Sequence, residues 1–170
     1  MIPSASVHTY YTHKYVFSEK IPLAKQGAWI TVNLRRDPLQ IEALKQAGKA
    51  VEDVTHQIPA LIDTGASCTC VDDRIAAVIG RQVDVVCLAG VHDASECSVY
   101  SVEFEIGPWR QTWRIVGIKR RDERFIPCIL GRDILRFFTL FYVGPEERFG
   151  LYHGVPPVVK KLMQESRVSP

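Results

Sequence analysis

Residues 59–73 read PALIDTGASCTCVDD: an apolar run ends in an acid, and a small hydroxyl and a glycine follow at once. The segment before it, THQIPALI, has the composition of a strand, so Asp63 stands where a strand becomes a loop. Flanked by Leu61, Ile62 and Ala66, its carboxylate is partly withdrawn from water. Gly65 lets the backbone turn tightly enough to offer amides to the acid, and Thr64 adds a hydroxyl. These are the parts needed to hold a carboxylate still for acid/base work. The plain alternative is a loop Asp that only caps backbone amides.

The surrounding chain reads as short strands. In AWITVNL, from Ala28 to Leu34, Ile30, Val32 and Leu34 alternate with Trp29, Thr31 and Asn33, the period of a half-buried strand. Next, Asp37 can cap a helix and Pro38 suits its first turn, while Ile41, Leu44 and Ala47 share a face and Gly48 can end it. A short surface helix from about Pro38 to Ala47 is expected as an insertion between strands. VDDRIAAVIG suggests a brief helical turn before Gly80. QVDVVCLAG and CSVYSVEFEIG then form a long hairpin with its tip near His92 and Asp93. In its second arm Tyr100, Val102, Phe104 and Ile106 face one way and Ser101, Glu103 and Glu105 the other. TWRIVGI is a further strand, and FIPCIL runs apolar into Gly131. RDILRFF begins a short helix offering Ile134, Leu135 and Phe138 to a core, and FTLFYV and RFGLYH make a closing hairpin around residues 144–147. The tail from Val155 is expected to be loosely ordered, or a short helix over VVKKLMQE.

With 170 residues, 46% hydrophobic and 24% charged, the chain fits a single globular domain. Its 21 basic and 19 acidic residues give a net charge of +2, too small a field to point to nucleic acid or a membrane surface as partner. The densest basic run, Lys119 to Arg124, is broken by Asp122 and Glu123 and reads as a solvated loop. Neither a signal peptide nor a long apolar span is visible, so a cytoplasmic location is expected. Cys68, Cys70, Cys87, Cys97 and Cys128 lack the paired spacings of a zinc site and read as free thiols in a reducing compartment. Cys87 and Cys97 stand five residues either side of His92, where a symmetric hairpin would set them opposite one another. Neither Gly-x-Ser-x-Gly nor Gly-x-x-x-x-Gly-Lys-[Ser/Thr] occurs, which removes serine-hydrolase and P-loop readings.

Leu61-Ile62-Asp63-Thr64-Gly65-Ala66-Ser67 resembles the active-site signature of aspartic proteases. Ile129-Leu130-Gly131-Arg132-Asp133-Ile134-Leu135 resembles the second signature of the retroviral-type, or retropepsin-like, members. Both follow apolar strands, in the order that family uses, with a hairpin between them. The resemblance implies a mainly β, single-lobe acid protease fold: closed antiparallel, barrel-like sheets, a flap hairpin, and one short helix after Gly131. The domain is expected over 28–154, with an N-terminal extension over 1–27 and a C-terminal tail over 155–170.

Pepsin-like enzymes carry two Asp-Thr-Gly segments in a chain about twice as long, whereas there is room here for one lobe. The resemblance therefore implies a homodimeric aspartic endopeptidase acting on an extended peptide or protein, with Asp63 of each subunit as the catalytic pair and no metal or cofactor. Thr64, Gly65, Ala66 and Ser67 are implied to support the active loop. Leu130, Gly131, Arg132 and Asp133 support it from the second motif, Leu130 and Ile134 also lining the wall beside it. Gly90, Val91 and His92 form the flap tip over substrate.

Three departures from the family pattern stand out. Ser67 replaces an acid, so Arg132 loses its expected ion-pair partner and is expected to find Asp72, Asp73 or another acceptor. Ala66 brings no hydroxyl to the acid, which implies a mildly rather than strongly acidic optimum. The tip 89–95 has one glycine and two ionisable groups. Two other classes remain open: a catalytically silent dimerisation or peptide-binding module on the same fold, and a thiol enzyme using Cys68 or Cys70 with a histidine.

Overall fold

The structure, a computed structural model, describes residues 9–11, 15–18, 23–89, 94–119 and 126–165. In chain order its elements are β1 (Thr9–Tyr11), β2 (Tyr15–Ser18), α1 (Leu23–Gln26), β3 (Trp29–Arg36), α2 (Pro38–Gln46), β4 (His56–Ile62), β5 (Cys70–Asp72) and α3 (Asp73–Ile79). They continue with β6 (Arg81–Ala89), β7 (Ala94–Ile106), β8 (Trp109–Ile118), β9 (Cys128–Leu130), α4 (Arg132–Leu135), β10 (Phe138–Val143), β11 (Arg148–His153) and α5 (Pro157–Glu165). Mainly β is therefore the fold class, with the short helix after Gly131 and the insertion helix where the sequence places them.

Six strands close on themselves in the order β3-β4-β9-β5-β8-β7, because β7 pairs back onto β3 from Asn33↔Glu105 to Arg36↔Val102. Each of these strands therefore has a neighbour on both sides over part of its length. The expected all-antiparallel arrangement has two exceptions, β4 with β9 and β5 with β8, which run parallel. Parallel neighbours need a long crossover between them, and the chain between each of these pairs supplies one. The first exception matters most, since it carries Ile62 alongside Leu130 and so brings the two sequence motifs together.

Period-two patterning explains the core. Ile30, Val32 and Leu34 of β3, and Val102, Phe104 and Ile106 of β7, are all buried, joined by Ala60, Val71, Ile115, Leu130 and Ile134. Trp109 at the start of β8 packs on Phe104, Trp113, Phe137 and Phe138, with ring centroids 5.7–6.4 Å apart. Phe138 belongs to β10 and not to the helix the sequence suggested. The amide of Phe137 donates to the Ile134 carbonyl at 3.1 Å, a tight turn that ends α4 before the β-rich run begins.

The insertion forms as expected. Asp37 accepts from the Leu39 amide at 2.9 Å, Pro38 opens α2, no residue of α2 is buried, and Gly48 follows at φ +68°. Asp37 itself is buried and also accepts from the Ser101 hydroxyl of β7, which fastens the root of α2 to the barrel.

Outside the barrel, β1-β2-β11-β10 make a second antiparallel sheet, in which Tyr15–Ser18 lie against β11 through Gly150↔Phe17 and Tyr152↔Tyr15. Strands from the N-terminal extension thus take part in the fold. The tail forms α5, the short helix that the sequence offered as one option.

Along β7, residues 102–105 lie between β8 and β3, residues 99–101 between β8 and β6, and residues 94–98 pair with β6 alone. The β6–β7 hairpin therefore runs on past the barrel wall. Its presumed tip, Gly90, Val91 and His92, lies outside the described residues. The register corrects one expectation: Ala89↔Ala94 leaves an even-numbered loop, so Cys87 faces Glu96 and Cys97 faces Val86. Alternation then turns the two cysteines to opposite faces, Cys97 buried and Cys87 exposed. Among the described residues, no helix is long and apolar enough to cross a membrane.

Candidate active site

The loop after β4 is built by short-range hydrogen bonds and then pinned by the second motif. The Asp63 amide donates to the Leu130 carbonyl at 3.0 Å, extending the β4–β9 ladder by one residue. Its carboxylate Oδ1 then accepts from the Gly65 amide at 2.8 Å, the local geometry that Asp favours where a chain turns. The Ala66 amide closes the turn onto the Asp63 carbonyl at 3.2 Å. A Cβ at position 65 would stand 3.0 Å from that same Oδ1, which is why the small residue belongs there. Thr64, Gly65 and Ser67 are exposed, while Asp63, Ala66 and Cys68 are half-buried. The apex of the loop thus faces outward with its acid held in place.

Gly131 allows the second motif to touch the first. A Cβ here would come within 2.4 Å of the carbonyl carbon and oxygen of Cys68, so the two backbones meet with no room for a side chain. From this contact the Arg132 amide donates to the Ala66 carbonyl at 2.9 Å, and Arg132 Nη1 to the Thr64 carbonyl at 3.1 Å. Arg132 therefore finds neither Asp72 nor Asp73. Arg74 already holds Asp72 through two 3.0 Å hydrogen bonds, and Asp73 accepts the Tyr100 hydroxyl at 2.9 Å. The acceptor that Arg132 does find is a backbone carbonyl of the Asp63 loop.

Asp133 organises the interior side. It accepts from Thr69 Oγ1 at 2.7 Å, from Trp113 Nε1 at 3.2 Å and from the Ile134 amide at 2.9 Å, while Thr69 Oγ1 accepts the Gly131 amide at 3.1 Å. Thr69 is fully buried. Neither Thr69 nor Trp113 was identifiable from sequence, because a Thr between two cysteines and a Trp in a strand carry no signal linking them to an acid far along the chain.

Leu130 and Ile134 are wholly buried, so they support the loop from the core and do not line an open wall. A separate apolar cluster is formed by buried Cys70, Cys97, Val99 and Val116, with Cys68, Val86, Leu88, Ile118 and Ile129 packed against them. It joins the segment after the Asp63 loop to the β6–β7 hairpin.

Burial disfavours the thiolate form at three of the cysteines. Burial, reinforced by neighbouring Cys68, pushes the Cys70 thiol up to about 12, and burial also raises Cys97 and Cys128. Among the described residues, no group of three or more His, Cys, Asp and Glu side chains is placed to hold a metal ion.

No protein-family model matches this chain, and no curated protein does. Among solved structures it is similar to the EIAV protease complexed with the inhibitor HBY-793, with 24% identity, a TM-score of 0.39, and 47% of this chain and 75% of that chain covered. It is also similar to the simian foamy virus (mac) protease, known from its solution structure, with 16% identity, a TM-score of 0.37, and 48% of this chain and 82% of that chain covered.

Proposed function

We propose that this protein is an aspartic endopeptidase that acts as a homodimer, one Asp63 carboxylate coming from each subunit across a two-fold axis. The observation that carries this reading is the presentation of Asp63: it sits at the end of β4, its Oδ1 held by the Gly65 amide, on an outward-facing loop tied at both Thr64 and Ala66 to Arg132. A single such loop holds one of the two carboxylates the chemistry needs. A second copy supplies the other, and two carboxylates that close share one proton, because both cannot ionise together.

In this mechanism the ionised member takes a proton from a water as that water attacks the peptide carbonyl, and the protonated member donates to the carbonyl oxygen. Gly65 offers its carbonyl to the substrate backbone, and Thr64 bonds across the two-fold axis. The β6–β7 hairpin closes over the extended peptide, with Gly90, Val91 and His92 at its tip, and pairs with it by strand addition. The apolar wall of Val86, Leu88, Ile118 and Ile129 favours aliphatic side chains in the substrate.

A peptide-library cleavage assay across pH and enzyme concentration tests the proposal. Specific activity is expected to rise with concentration as the dimer forms. Asp63→Asn is expected to dimerise normally and cleave nothing. Cleavage that survives this substitution refutes the mechanism, and a wild-type chain that dimerises and holds peptide without ever cutting it is a binding module instead.

A further inference from the structure

Cys68 and Cys70 bracket Thr69, the residue that joins the active loop to the second motif. Their sulfurs lie 3.9 Å apart, and Cys70 Sγ also donates to the Cys68 carbonyl at 3.7 Å. Both thiols are on one side of the chain, in the apolar cluster with Cys97 and Val116. The Thr69 hydroxyl points the other way, to Asp133 and Gly131. Cys68 is half-buried, open enough for a small oxidant, and Cys70 behind it is buried.

We propose that Cys68 and Cys70 form an oxidant-sensitive dithiol whose closure to a disulfide displaces Thr69 and so switches off the Asp63 loop. The oxidant class is a hydroperoxide, with hydrogen peroxide as the simplest case. The Cys68 thiolate attacks one peroxide oxygen, the O–O bond breaks, and hydroxide leaves, giving the Cys68 sulfenic acid. Cys70 sulfur then attacks the Cys68 sulfur, and the sulfenic oxygen leaves as water with the Cys70 proton. In sum, two thiols lose two electrons and two hydrogens, and the peroxide becomes two waters.

Closure has a mechanical cost at one place. The two sulfurs must close from 3.9 Å to a bond of about 2.05 Å, between residues joined through Thr69 alone. Drawing the ends together therefore buckles the chain at Thr69. Three ties meet there: the hydroxyl to Asp133 at 2.7 Å, the Gly131 amide to that hydroxyl at 3.1 Å, and the Val116 amide to the Thr69 carbonyl at 3.1 Å. The Cys68 backbone also abuts Gly131 with no spare room, so movement there reaches the loop carrying Asp63. Trp113, bonded to the same Asp133, reports the change.

The thiol chemistry is independent of the peptidase reading, whereas its effect on catalysis rests on it, and the experiment separates the two. Wild-type and Asp63→Asn proteins are treated with hydrogen peroxide, digested with trypsin and weighed. The fragment of residues 50–74 contains Cys68 and Cys70 and no other cysteine. It is expected to lose the mass of two hydrogens in both proteins and to regain it with dithiothreitol, accompanied by a reversible change in tryptophan emission. Cys68→Ser and Cys70→Ala are each expected to abolish the mass loss. Where cleavage activity is present, each is also expected to remove its sensitivity to peroxide, measured against the variant's own untreated rate. Oxidation that stops at a sulfinic acid on Cys68, or that joins Cys68 to Cys97, overturns the proposal. So does a disulfide that leaves emission and activity untouched.

Discussion

Thr69 Oγ1 donates to the Asp133 carboxylate at 2.7 Å, joining residues 64 positions apart through the interior of the barrel. The same oxygen accepts the Gly131 amide at 3.1 Å, so one hydroxyl serves both sides of the junction. Thr69→Val keeps the shape and removes the hydroxyl, leaving a buried amide and part of a carboxylate without partners. The expected loss is about 2 kcal/mol, or about 6 °C in melting temperature for a domain of this size. Thr69→Ser restores the hydroxyl and is expected to recover most of it in the same thermal scan.

Gly131 and Gly48 separate two reasons for glycine. At Gly131 the obstacle is space, since a Cβ meets the Cys68 backbone at 2.4 Å. At Gly48 the obstacle is conformation, φ +68° with nothing within 4 Å. Gly131→Ala is expected to cost about 3 kcal/mol, because backbone atoms must part. Gly48→Ala is expected to cost about 1 kcal/mol, the penalty of the left-handed region alone. Urea unfolding of the two variants checks the order, and equal losses would contradict the packing described for the Asp63 loop.

Much of this architecture is legible in the sequence because period-two patterning and turn residues are local. The strands with Ile30, Val32 and Leu34 and with Tyr100, Val102, Phe104 and Ile106 follow from alternation, and α2 follows from Asp37, Pro38 and Gly48. Pairing partners do not follow from it. Nothing local says that β4 runs parallel to β9, that Tyr15–Ser18 lie beside β11, or that Arg132 bonds the Thr64 carbonyl. The half-register error at Cys87 and Cys97 has the same origin. One residue more or less in a tip loop exchanges the faces of a strand, and composition does not determine that length.

Asp72 makes the fold sensitive to acid. The hydrogen-bonding Arg74 guanidinium holds its carboxyl below the ordinary carboxylate range, outweighing the burial that would raise it. A folded value below the unfolded one means that the contribution is fully present above about pH 4, the unfolded value, and is lost as pH falls through the folded one. Glu105 behaves alike: burial pushes it up, but Asn33 and Arg110 together hold it down. Urea midpoints are therefore expected to hold from neutral to mildly acidic pH and to fall steeply below it. Arg74→Ala is expected to lower the neutral midpoint and flatten the acid slope, and an unchanged slope would remove Asp72 from the account.

Ala66 is expected to set the pH range in which the proposed carboxylate pair works. Its amide and carbonyl are engaged by Asp63 and by the Arg132 amide, so the residue contributes backbone bonds to the loop and no side-chain donor to the acid. The Gly65 amide is the donor that the structure places on Asp63 Oδ1. A pair of carboxylates supported in this way is expected to give a bell-shaped pH-rate profile with a mildly acidic maximum, one limb for each proton of the pair. Ala66→Ser places a hydroxyl next to the carboxylates, where a hydrogen bond to the ionised form favours loss of the proton. The acidic limb of kcat/KM is then expected to move to lower pH while the melting temperature stays within a few degrees. A wild-type maximum at about pH 2, where pepsin's first carboxylate titrates, would show that a hydroxyl at this position is not what sets the range.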